Sequence, residues 1–149
     1  MPKPVYIICC QFCSEDRTSG LLSLFGVLDA IHIDKVGTEA SSGGGLMIVR
    51  SSPFRVVAVW AKADDETETE YESETRVIFP PEENEWVAQA GPVAFIGNRL
   101  SFVIELTRLP FQGPGVLRVE NRIRRADSAE WSSQSCTLDL ILGEDLRDE

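Results

Sequence analysis

Between Glu66 and Phe79 the chain alternates with a period of two. Glu66, Glu68, Glu70, Glu72 and Glu74 interleave with Thr67, Thr69, Tyr71, Ser73 and Thr75, and Val77 and Phe79 continue the second set. An extended strand puts every second side chain on one face, with same-face neighbours roughly 7 Å apart. A helix would scatter the glutamates around its circumference. The stretch therefore predicts a half-buried strand with a carboxylate ridge on its outer face, ended by Pro80 and Pro81.

A row of like charges needs an opposing row. Val116 to Arg125 offers one: Leu117, Val119, Asn121 and Ile123 fall on one face, and Arg118, Glu120, Arg122 and Arg124 on the other. If the two strands are neighbours, glutamate and arginine pair across the ladder on the solvent side, each pair contributing about 0.2–1 kcal/mol. Otherwise Glu68, Glu70, Glu72 and Glu74 form a docking surface for a basic protein partner.

The densest apolar region is Val5 to Asp34, two apolar runs around the polar turn Ser14 to Gly20. It reads as a pair of central strands, Val5–Cys13 and Leu21–Ile33, the second apolar on both faces as in a strand covered on both sides. Further strands are expected at Phe54–Ala63, Leu100–Leu109, Val116–Arg125 and Trp131–Leu142, with short ones near Trp86–Gln89 and Val93–Ile96. The glycine run Gly43 to Gly45 lacks the Lys-Ser or Lys-Thr of a phosphate loop and reads as a connection. No long amphipathic pattern is present. Some eight strands at short spacing, with Gly and Pro turns, predict an all-β antiparallel sandwich with little or no helix, a single domain over residues 1–149.

Charge narrows the partners. Asp and Glu number 24 against 14 Lys and Arg, a net charge of −10. Such a chain repels phosphate backbones and anionic bilayers, so neither nucleic acid nor membrane is an expected partner. No run of about 18 apolar residues is present. The apolar run Val5–Cys10 is short and has no small-residue cleavage pattern, so it reads as a strand rather than a leader. Cys9, Cys10, Cys13 and Cys136 sit inside apolar strands, as reduced cysteines do. A cytoplasmic location is expected.

Three constellations could carry chemistry. His32, the single histidine, lies between Ile31 and Ile33 with no nucleophile-elbow motif, although a Cys-His pair with Cys9, Cys10 or Cys13 is conceivable if the strands adjoin. Cys10 and Cys13 have CxxC spacing, but a regular strand points them to opposite faces and no second CxxC exists. The acidic loops are the third. If strands alternate in direction, Asp16, Asp64, Asp65 and Asp127 gather at one rim with Glu15 and Glu66, a donor set suited to calcium.

The N-terminal half carries a further pattern: Asp16-Arg17-Thr18-Ser19-Gly20, then LSLFGVLDAI from Leu22 to Ile31, then VVAVW from Val56 to Trp60. It resembles a family of small uncharacterised bacterial proteins that share a "D…LSLxGxxD" opening and a Trp-terminated third strand. The turn Pro110–Gly115, followed by Val116, Leu117 and Arg118, is similar to that family's closing "PGxYxF" segment, with Val116 and Leu117 in place of the usual aromatic. The resemblance implies a β-sandwich and no assigned activity. With one histidine, no nucleophile motif and no cofactor fingerprint, the leading expectation is a non-enzymatic binding or assembly module without a cofactor, taking a protein partner or forming a homodimer. A calcium-dependent binding domain and an enzyme with a cleft around His32 are the alternatives.

Overall fold

A computed structural model describes residues 1–19, 21–33, 39–40, 47–67, 70–80, 83–111 and 113–142. Among them the chain is all-β, with ten strands: β1 (Lys3–Glu15), β2 (Leu22–Val27), β3 (Ala30–Ile33), β4 (Glu39–Ala40), β5 (Met47–Ala61), β6 (Glu70–Phe79), β7 (Asn84–Ala94), β8 (Arg99–Phe111), β9 (Gly115–Arg125) and β10 (Ser132–Leu142). No helix of the described residues is long and apolar enough to cross a membrane. The Gly43–Gly45 run, Glu68 and the acidic tail after Leu142 lie outside the described residues.

Two sheets pack face to face. The first runs β2-β1-β5, with β8 on the far side of β5 and the two-residue β4 against its start. The second runs β3-β10-β9-β6-β7. Among the described residues every strand pairing is antiparallel except that of β3 with β10. This is the expected sandwich, with one parallel edge.

The core follows from the alternation within each strand. Phe54, Val56, Ala58 and Trp60 of β5 point inward with Phe102 and Leu106 of β8 and Cys9 of β1. They meet Tyr71, Val77 and Phe79 of β6, Leu117, Val119 and Ile123 of β9, and Leu138 and Leu140 of β10. One polar node lies in this layer. Trp60 Nε1 donates to Asn121 Oδ1 at 2.7 Å, and Asn121 Nδ2 donates to Thr75 Oγ1 at 2.9 Å and to Ser73 Oγ at 3.4 Å. All four side chains are buried, so each bond replaces water that cannot enter.

The expected central strand Leu21–Ile33 is corrected. It divides at Leu28 and Asp29, and both products are sheet edges: β2 borders the first sheet and β3 the second. The handover takes two consecutive residues. Leu28 N donates to Cys9 O of β1, and Asp29 O accepts from Asp139 N of β10, both at 2.9 Å. A uniformly apolar run looks like a doubly covered strand, and it also suits a segment that changes sheets. The two short strands expected between Trp86 and Ile96 are one strand, β7, with a bulge opposite Thr75 and Arg76.

β1 and β2 do not stay flat against their sheet. Gly26 adopts φ +65° opposite Gln11, and a side chain there would strike the Gln11 amide at 2.5 Å. Beyond this point the hairpin folds over the outer face of the first sheet. Cys13, Leu22 and Leu24 pack on Cys10, Val57 and Val59, which are fully buried although they point away from the main core.

Candidate functional site

The acidic loops divide their work. Asp16 Oδ1 accepts from the backbone amides of Thr18 at 2.7 Å and Ser19 at 3.2 Å, closing the β1–β2 turn. Those bonds hold its carboxyl below the usual range. The folded hairpin brings Glu15 and Ser19 to a cleft of about 680 Å³ with Asn98, Arg99, Leu100, Ser101 and Val103. Asp64 and Glu66 line an adjoining cleft of about 450 Å³ that shares Asn98 and Arg99 and adds Lys62. Asp127 follows β9, whose last residue, Arg125, reaches Glu66. The loops thus come toward one end, with cations between them. Among the described residues, no group of three His, Cys, Asp or Glu side chains is placed to hold a metal ion.

Glu66 shows why. Sequence alternation places it on the solvent ridge, but it precedes β6 and is buried. Its carboxylate lies 2.8 Å from the Met1 amino nitrogen and 2.7 Å from Arg125 Nη2. Hydrogen bonds from these two cations, the amino group first, pull its pKa down to about 2.

His32 is exposed on β3. It borders a cleft of about 260 Å³ with Gln11, Leu28, Ala30, Ile31, Pro53 and Phe54. That lining contains no thiol and no carboxylate, so the Cys-His pair that the sequence left conceivable is not assembled there. Cys10 and Cys13, expected on opposite faces, are instead brought together by the bend of the hairpin. Burial, then the neighbouring Cys13, raises the Cys10 thiol.

The glutamate ridge is paired. β6 and β9 are neighbours, and the register sets Glu72 opposite Arg124, Glu74 opposite Arg122 and Arg76 opposite Glu120. The ion pairs close at 2.7, 2.8 and 2.8 Å, and Arg76 also holds Glu85 at 2.8 Å. Trp131 joins the ladder, with the Arg122 and Arg124 guanidinium carbons 4.3 and 4.5 Å from its ring centroid. Glu72 and Glu74 therefore have partners within the chain. Glu70 lies further along the same strand, opposite Ala94 of β7.

A different surface is unsatisfied. At the bend of the hairpin, Phe12 and Phe25 face each other across the β1–β2 ladder, ring centroids 6.0 Å apart, and Val27 follows opposite Cys10. Phe12, Phe25 and Val27 are 51%, 54% and 64% exposed. The Arg55 guanidinium lies 5.2 Å from the Phe12 ring, donates to Gln11 O and pairs with Glu105 at 3.3 Å. Sequence reading missed this patch because it assigned the strand to the sheet interior.

No protein-family model matches the chain, and no curated protein is significantly similar to it. The class defined here is a two-sheet β-sandwich with an apolar patch on one edge.

Proposed function

We propose that the protein is a binding and assembly module that associates with a second copy of itself through the Phe12–Phe25–Val27 patch. The exposure of this patch carries the reading. Large apolar side chains grouped on a surface mark interaction sites when water is their only other neighbour. Of the other described edges, β7 has Pro92 and Glu85 and β8 has Arg99, Glu105 and Arg108, while β3 is uncharged but only four residues long. β2, Leu22–Val27, contains no charge. At a net charge of −10, two copies meet most easily where the flanking carboxylate, here Glu105, is already paired with an arginine. Gly26 twists the edge away from regular pairing, so side chains, rather than a continued ladder, form the contact.

Sedimentation equilibrium between about 1 and 100 µM is the test. The expected result is a concentration-dependent dimer that Phe25→Glu converts to monomer without loss of the folded spectrum. A wild-type protein that stays monomeric throughout that range overturns self-association. A dimer unaffected by Phe25→Glu and Val27→Glu moves the contact elsewhere.

A further inference from the structure

We propose that Cys9 and Cys136 form a redox pair, which a hydroperoxide closes into a disulfide joining the two sheets. Cys9 is on β1 and Cys136 on β10, and their sulfurs lie 3.5 Å apart as free thiols. The crossover at Leu28 and Asp29 ties these strands to each other, since Leu28 bonds to Cys9 itself and Asp29 to Asp139 of β10. The sulfurs need to approach by roughly 1.5 Å to reach a disulfide bond length. Side-chain rotation within a corner already drawn together can supply that.

The two thiols are unequal. Cys9 is buried, whereas Cys136 is half-buried and is the side from which an oxidant arrives. The two sulfurs are within hydrogen-bonding distance and either thiol can donate; the shared bond lowers Cys136 from the ordinary thiol value and, with burial, raises Cys9. Cys136 as thiolate attacks one peroxide oxygen. The O–O bond breaks, hydroxide or alkoxide leaves and takes a proton, and Cys136 becomes a sulfenic acid. The Cys9 sulfur then attacks the Cys136 sulfur, the S–O bond breaks, and the Cys9 proton departs in water. Two thiols are oxidised to a disulfide, and the peroxide is reduced to two waters, or to water and an alcohol. Cys10 and Cys13 sit on the other side of the first sheet and stand apart from this exchange.

Reduced protein is treated with hydrogen peroxide, alkylated and analysed by intact mass and peptide mapping. The expected result is loss of two alkylatable thiols, a cross-linked peptide pair containing Cys9 and Cys136, and a melting temperature higher by roughly 5–10 °C that dithiothreitol reverses. Cys10→Ser/Cys13→Ser should retain the cross-link and Cys136→Ser should lose it. If Cys136→Ser loses two thiols as the wild type does, Cys10 and Cys13 are the reactive pair and the proposal fails. Oxidation of Cys136 to sulfinic acid without a cross-link overturns it equally.

Discussion

The outer faces of the two sheets meet water by opposite means. The second sheet covers its outer face with charge, pairing Glu72, Glu74 and Glu120 against Arg124, Arg122 and Arg76. The first sheet places Val57 and Val59 on its outer face and bends the β1–β2 hairpin over them. A charge ladder needs no apolar cover, because each carboxylate meets a guanidinium; it tolerates change best at Glu72 and Arg124, the most exposed of the three pairs. An apolar face depends on its cover, and the bend that supplies this cover leaves Phe12, Phe25 and Val27 outside. The patch is therefore a by-product of how the first sheet is sealed.

Placing one charge on each face gives the sharpest test. Val57→Asp buries an unpaired carboxylate and should cost about 4 kcal/mol or more in urea denaturation, whereas Thr137→Asp, exposed on β10 opposite Arg118, should stay within about 0.5 kcal/mol. Equal costs would mean that the two faces do not differ. Thinning the cover comes next. Leu24→Ala should cost about 1–2.5 kcal/mol and raise binding of an apolar-surface dye, since Val57 and Val59 lose a neighbour.

At the seam between the sheets the probe is acid. Glu66 has a folded-state pKa near 2 against an ordinary 4.5. Its stabilisation is therefore complete above about pH 4.5 and is lost as pH falls from there through 2. An acid titration of melting temperature should show this limb, and Glu66→Gln should flatten it. The ladder itself should give the smallest effect. Glu72→Lys sets like charges opposite each other and should cost about 1 kcal/mol or less, an amount that added salt reduces.

The β6–β9 ladder could be read in the sequence because period-two alternation is a local signal and both strands carry it cleanly. Once the two strands are neighbours, the pairing of Glu72 and Glu74 with the arginines follows from their faces. The crossover could not be read in the same way. Leu21–Ile33 is apolar on both faces, and periodicity cannot distinguish a strand covered twice from one exposed at its first half and switching sheets at its second. The apolar patch was missed with it. The alternation also misplaced Glu66, because the pattern runs on past the start of the strand while the backbone does not. Asn121 could be assigned an inward face, but its bonds to Trp60 and Thr75 join distant segments and depend on the packing of two sheets. The nearness of Cys9 and Cys136 is likewise set by topology.

The parallel pairing of β3 with β10 has a consequence for synthesis. Ala30 takes its place beside Asp139, so an N-terminal segment waits for the last described strand to leave the ribosome. Until then the crossover has only its β1 half to hold, and the apolar bend at Phe25 and Val27 stays open in a growing chain. Long-range pairings of this kind fold slowly and leave sticky surface exposed meanwhile. The local hairpins β1–β2, β6–β7 and β9–β10 are thus expected to form before β3 finds β10.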